Sequence, residues 1–240
     1  MIDIHQHFLW GLDDGADSAA EMRKMLLEAA DSGISHLFAT VHVRPGREHF
    51  RAETYCERLQ EAEDFIAKKK LGITVCPGAE ILYSSKALPY LDEGRIPTMN
   101  GTRFILVEFY PDEDFSSIRG ALRALLNGGY KPILAHTERY VCMEKDTVKK
   151  LEDLKYDGAK LQVNSGAVLQ SSRLFGNPFP GKLLKSGMID YVASDAHGAK
   201  KRPNTLKEAY PVTVKKLGKE KAEKLFSGNQ KRDLFLEKWS

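Results

Sequence analysis

The chain has 240 residues, 36 Lys+Arg against 33 Asp+Glu for a formal net charge of +3, and 42% hydrophobic and 9% aromatic residues, an ordinary globular composition. At about 150 residues per domain that length allows one or two domains, although α/β barrels of about 250 residues form a single one. No apolar run approaches the roughly 18 residues that cross a bilayer, the opening Met1-Ile2-Asp3-Ile4-His5 lacks the pattern of a secretory signal, and Cys56, Cys76 and Cys142 lack the spacing of a disulfide framework or a thiolate metal site, so a cytoplasmic protein without membrane insertion is expected.

In chain order, short apolar, β-rich runs at 2–5, 37–41, 73–76, 103–109, 132–135, 161–163 and 189–193 predict seven strands. Helical patterns lie between most of them. In the first, Ser18 and Glu21 have the spacing of a capping box, Met22, Leu26 and Ala29 form one apolar stripe, and Gly33 can end the helix. Similar patterns cover 53–69, 117–126, 147–154 and 205–217. Strands alternating with helices predict a parallel sheet covered by helices. Seven such units suit a distorted TIM-like barrel, with an open doubly wound sheet as the competing architecture. With no linker or repeat in the chain, residues 1–240 are expected to form one domain. Residues 199–240 carry twelve Lys+Arg and five Asp+Glu, leaving −4 for the rest; because Ala222, Leu225 and Phe226 interleave at helical spacing, this basic segment reads as a solvated helical face, not a nucleic-acid surface.

Nearly every strand ends in a side chain that can bind a metal. His5 and His7 follow the first, His42 the second, Glu80 the third, Glu108 the fourth, His136 the fifth, Asn164 the sixth, and Asp195 and His197 the seventh. All strand ends of a parallel barrel emerge on one face, where the catalytic groups of such folds sit. Glu80 and Glu108 stand in apolar runs with no basic residue at alternate positions, and a buried charge without a partner is costly unless a metal supplies one. Asp13-Asp14-Gly15 alone reads as a turn, and Asp14 gains weight only beside His5 and His7. His36 reads as structural and His49 as a loop residue. Five imidazoles and four carboxylates exceed the four to six ligands of one divalent ion. Two or three ions are expected, and mixed imidazole and carboxylate donors without thiolate fit manganese, zinc or iron.

Arg139 and Arg202, three and five residues beyond His136 and His197, can reach the same bowl and fork onto phosphoryl oxygens as catalytic and substrate-binding groups, with a surface or inter-loop salt bridge as the alternative for each. Arg44 and Arg47, after His42, are further substrate-binding candidates, for an acidic protein or peptide. Trp10, Phe109, Tyr110 and Tyr140 are candidate rim aromatics, with core packing an equal reading of Phe109. Other catalytic templates fail. No cysteine is followed at the sixth residue by arginine, neither Gly-x-Ser-x-Gly nor His-Glu-x-x-His occurs, and the P-loop spacing of 176–182 has Leu183 in place of the hydroxyl and two prolines, so it reads as a loop.

The ordered set His5-x-His7, Asp13-Asp14-Gly15, His42, Gly78-Ala79-Glu80, Val107-Glu108-Phe109, His136-x-Glu138-Arg139, Asn164-Ser165 and Ser194-Asp195-x-His197 resembles the PHP (polymerase and histidinol phosphatase) superfamily. Within it, the chain looks like the bacterial CpsB/YwqE-type protein-tyrosine phosphatases of capsule and exopolysaccharide synthesis. The resemblance spans nearly the whole chain, with Thr137 where the family often has proline. It implies a distorted α/β barrel, a trinuclear and typically manganese-dependent centre, hydrolysis of phosphotyrosine by a metal-bound hydroxide, and as partner a phosphotyrosyl protein, a cognate tyrosine kinase with a tyrosine-rich tail. The alternatives are another phosphoesterase of the superfamily, a histidinol-phosphate phosphatase or a nuclease, or an inert regulator that binds the kinase tail.

Overall fold

The computed structural model describes residues 1–47 and 50–236; His49 lies outside them. Strands β1 (Ile2–Gln6), β2 (His36–Val43), β3 (Thr74–Leu82), β4 (Phe104–Glu108), β5 (Lys131–Leu134), β6 (Lys160–Asn164) and β7 (Tyr191–Ala193) are all parallel and pair in chain order. Beyond β7 the Asp195 amide donates to the His5 carbonyl at 2.8 Å and the His7 amide to the Ala196 carbonyl at 2.9 Å, so the last strand returns to the first. Sequential order with that return makes an α/β barrel. It excludes the doubly wound sheet, whose strand order reverses at a switch point. The helices are α1 (Ala19–Asp31), α2 (Ala52–Lys69), α3 (Ala87–Asp92), α4 (Phe115–Asn127), α5 (Thr147–Asp157), α6 (Ser165–Gln170), α7 (Phe179–Lys185), α8 (Leu206–Leu217), α9 (Lys219–Glu223) and α10 (Asn229–Phe235).

Period-two alternation divides each strand between two environments. Leu37, Ala39 and Val41 of β2 and Ile105 and Val107 of β4 pack outward with the helices, while Phe38 and Cys76 and then Phe104 and Leu106 face the barrel interior. Burying each large apolar side chain contributes roughly 1.5–3 kcal/mol, so both faces demand apolar residues. Continuing the inward alternation leads from Phe38 to Thr40 and His42, from Cys76 to Gly78 and Glu80, and from Leu106 to Glu108. The apolar plug at the strand starts thus gives way to polar groups at the strand ends.

β1 requires an extra device. Ile2 and Ile4 belong to the interior cluster, yet the histidines sit at odd positions. Between Asp3 and Gln6 the pairing with β2 slips by one residue, Ile2 opposite His36 but Gln6 opposite Ala39. That bulge reverses the parity. His5 and His7 therefore follow the isoleucines into the barrel instead of facing the helices.

The opposite end is closed by α10, whose Leu234 joins Ile2 and Phe104 in the interior cluster, while Tyr191 donates to Asp233 at 2.5 Å and Asn100 to the Leu234 carbonyl at 2.9 Å. Ala222, Leu225 and Phe226 are buried and the neighbouring lysines exposed, with Lys224 paired to Glu220 at 2.8 Å. His36 also belongs to this end, bonded to Ser35 at 3.0 Å and packed edge-on against Phe235.

Three local expectations are corrected. The capping box at α1 is half formed: Ser18 accepts the Glu21 amide at 3.3 Å, but the Glu21 carboxylate instead accepts the Ala199 amide at 2.8 Å, tying the helix to the loop after β7. The 176–182 stretch is not all loop, because α7 begins at Phe179, with Pro180 in its first turn where the missing N–H costs nothing. β3 runs six residues past 76, carrying Glu80 inside the strand, because Pro77 and Gly78 do not interrupt its pairing with β2.

Candidate metal centre

The strand ends bring nine donors together. His5 Nε2 and His7 Nε2 lie 3.2 Å apart, and Glu80 Oε2 is 3.1 Å from the first and 3.3 Å from the second. Asp195 Oδ1 is 3.4 Å from His5 and 3.6 Å from His7. The other oxygen of Glu80, Oε1, faces His136 Nε2 at 2.9 Å. Glu108 approaches His136 at 3.6 Å and His42 Nδ1 at 3.1 Å. Asp14, two-thirds exposed, sits 3.3 Å from His42 Nε2 and 3.4 Å from His197 Nε2.

These separations fit coordination shells. Donors held at about 2.1 Å from an ion stand roughly 3.0 Å apart at an octahedral edge and roughly 3.4 Å apart at a tetrahedral one. Three groups lie within 4.8 Å: His5, His7, Glu80 and Asp195; His7, Asp14, His42 and His197; and His42, Glu80 and Glu108. His42 Nδ1 and His197 Nε2 are buried beside carboxylate oxygens but without an aligned hydrogen bond, which costs stability unless something else meets them. The donor set, its spacing and these orphaned nitrogens all fit divalent cations.

Neighbouring groups aim the imidazoles. Asp13 accepts from His7 Nδ1 at 2.7 Å, Gln162 from His5 Nδ1 at 3.3 Å, and the Asp195 carbonyl from His197 Nδ1 at 3.0 Å. In all three rings Nδ1 is occupied and Nε2 is left facing the centre, the arrangement that fixes a ligand's tautomer. Gln162 also accepts the His136 amide and donates to Asn164, which donates to Asp195 at 2.8 Å. Asn164 is the strand-end residue expected on β6; Gln162, its alternate neighbour on the same face, is the one the sequence reading missed, and that spacing could have revealed it. At Gly15 a Cβ would stand 2.1 Å from the His7 carbonyl, so the turn admits only glycine. His136 and Asp195 take left-handed φ of 31° and 53° as the chain turns inward, a conformation uncommon for residues other than glycine.

The charges are mutually dependent. Burial opposes ionisation of Glu80, but His5 and hydrogen bonds from His136, His5 and His7 hold it well below the usual carboxylate range. Burial likewise works against the Asp13 charge, and His7 with the His42 and Gly15 amides brings it down to about 2. Burial and the neighbouring His7 lower His197 to about 4, keeping its ring neutral.

Arg139 and Arg202 converge on one atom. Both guanidiniums bond Asp195 Oδ2, Arg202 at 2.8 Å, which leaves Oδ1 toward the histidines. The two arginines, Glu138, Asn164 and Thr205 line a cavity of about 440 Å³ beside Asp195, within the range of small-ligand sites. Arg44 and Arg47 are not in it; they line a separate cleft with Arg51 and Arg95. The rim aromatics are mostly unavailable. Phe109 and Tyr140 are buried, with the Tyr140 hydroxyl accepting the Phe109 amide, and Trp10 is covered by Arg58 at 3.7 Å, leaving Tyr110 exposed.

Residues 1–234 match the family model described as "Capsular polysaccharide synthesis, CpsB/CapC". The tyrosine-protein phosphatase CpsB of Streptococcus pneumoniae is 31% identical over 238 residues, 97% of either chain. The tyrosine-protein phosphatase YwqE of Bacillus subtilis is 31% identical, covering 92% of this chain and 86% of its own. A crystal structure from the pair YwqE and CpsB, described as unique metal-dependent tyrosine phosphatases, superposes with a TM-score of 0.89 at 29% identity over 100% of this chain and 96% of that one. No described helix is long and apolar enough to cross a membrane. With a family model spanning almost its full length and relatives matched end to end, this chain belongs to the CpsB/CapC family.

Proposed function

We propose that this protein is a metal-dependent protein-tyrosine phosphatase, built as one domain over residues 1–240 and acting on a phosphotyrosyl protein in capsule or exopolysaccharide synthesis. The observation that carries the reading is the adjacency of a cation-binding donor set and an arginine-lined cavity, with Asp195 shared between them. The family relationship supports the substrate, and a cognate tyrosine kinase is the partner we favour.

His5, His7, Glu80 and Asp195 would hold one ion, Glu80, Glu108 and His136 a second, and Asp14, His42 and His197 a third. In this assignment His42 binds through Nε2, which faces Asp14, and His136 through Nε2, which faces Glu80 Oε1; Asp13 occupies His7 Nδ1, so His7 has one nitrogen to give. Mixed imidazole and carboxylate donors without thiolate fit manganese, iron or zinc, and manganese is the metal we favour on the family resemblance. Divalent ions held there supply an activated water as nucleophile and positive charge for the phosphoryl oxygens. Arg139 and Arg202, each about 40% exposed, would turn their free N–H groups to the phosphoryl oxygens and orient the ester in the cavity. Asp195 holds both forks in place.

The test is metal analysis of the purified protein with turnover of a phosphotyrosyl peptide, histidinol phosphate and single-stranded DNA. We expect two or three equivalents of metal and hydrolysis of the peptide. Preferential hydrolysis of either other substrate, or a metal-free sample with full activity, would overturn the reading.

A further inference from the structure

A second cleft opens where the chain leaves β2. Arg44, Arg47 and Arg51 form one side and Tyr90 and Arg95 the other, around about 390 Å³. Arg44, Arg47 and Arg51 have no ion-pair partner among the described residues. Arg95 has one at 3.4 Å, the exposed Glu93, and its guanidinium lies 3.7 Å over the Tyr90 ring, which fixes its plane. Lys86 packs along the same loop, close enough that a Cβ on Gly46 would meet its Cδ at 2.7 Å. Four guanidiniums around one cleft repel one another, and each is a planar fork suited to a carboxylate or phosphate. A local excess of cations beside an enzyme site attracts anions from solution.

Its position ties the cleft to the catalytic face. Arg44 is two residues beyond His42, so the two Cα atoms are at most about 7 Å apart, and His42 Nε2 is 3.3 Å from Asp14 in the metal centre. An extended peptide advances about 3.3 Å per residue. Residues two to about four removed from a phosphotyrosine in the centre therefore reach the cleft. Building on the phosphatase reading above, we propose that the Arg44, Arg47, Arg51 and Arg95 cleft docks an anionic side chain, carboxylate or phosphate, carried by the same substrate segment a few residues from the phosphotyrosine.

The experiment compares kcat/KM of the metal-loaded full chain on three phosphotyrosyl peptides of equal length. One is flanked by glutamine, one by glutamate, and one by phosphonomethyl-phenylalanine, which cannot be hydrolysed. The same ratios are measured for the Arg51→Ala/Arg95→Ala double variant, and taking ratios cancels any general loss of activity. Two exposed charge pairs predict a preference of about three- to thirtyfold for an anionic flank. It should lie in KM, weaken with salt, and fall to within twofold in the double variant. Preference for glutamate identifies a carboxylate site, and preference for the phosphonate alone identifies a dianion site. Equal rates on all three peptides, or a preference that survives the double substitution, overturns the docking proposal while leaving the phosphatase reading intact. Failure to hydrolyse even the glutamine-flanked peptide removes both.

Discussion

The Asp13 carboxylate stands 2.7 Å from His7 Nδ1 and at the same time accepts the His42 amide at 2.9 Å, so one side chain fixes the ring of one candidate ligand and the backbone of another. Its neighbour Asp14 points the other way, toward His42 and His197. Removing the partner that orients a metal-binding histidine typically costs 10–100-fold in metal affinity. Asp13→Ala should therefore weaken metal binding by roughly that factor while leaving all nine donors in place. Competition against a chelator of known affinity measures it. Wild-type affinity in the variant would show that the Asp13–His7 contact does not matter.

Glu80 and Glu108 should differ in degree. Glu80 faces His5, His7, His42 and His136 within 3.3 Å, whereas Glu108 faces only His42 and His136 and is more exposed. Glu80→Gln is expected to lose metal from more than one position and abolish turnover, and Glu108→Gln to lose one equivalent at most. Stoichiometry by elemental analysis decides, and equal losses would contradict Glu80 as the shared ligand.

Arg139 and Arg202 share the load on Asp195, so either one alone should keep that carboxylate aimed. Single Arg→Ala variants are predicted to retain metal but lose about 2 kcal/mol of transition-state stabilisation, the lower end for a partly exposed charge pair, or about thirtyfold in rate. The double variant should also lose metal. Arg→Lys should recover part of the rate, because an ammonium lacks the planar fork. A single variant with normal rate and normal metal would mark that arginine as an ordinary surface residue.

Activity should require metal and ignore thiols. A strong chelator is expected to abolish turnover and manganese to restore it. Cys56 is exposed, whereas burial pushes the Cys76 thiol up to about 12, so at pH 8 a thiol reagent should label Cys56 rapidly and Cys76 only after unfolding. Loss of turnover on labelling Cys56 at unchanged metal content would count against the mechanism.

Much of this protein was legible in the chain itself. The strand periodicity and the return of a His, Asp or Glu at each strand end are local patterns, and a parallel barrel turns every strand end to the same face whatever its details. His5, His7, His42, Glu80, Glu108, His136, Asp195 and His197 could thus be gathered from spacing, whereas Asp14, in the loop after β1, drew its weight only from the company of His5 and His7.

Contacts between distant segments were not legible. Asp13 and Asp14 are the same residue type side by side, and only the folded loop shows which one meets His7 and which faces His42 and His197. The β1 bulge that turns His5 and His7 inward depends on pairing with β2. Arg139 and Arg202 were expected at the rim separately, but their convergence on a single oxygen of Asp195, and the separation of Arg44 and Arg47 into another cleft, follow from how loops after different strands fold over the barrel mouth. Sequence determines which donors a strand end carries because that is set by local alternation; the tertiary structure decides which nitrogen, oxygen or guanidinium each one meets, because those partners are distant in the chain, as Gln162 is, 157 residues from His5.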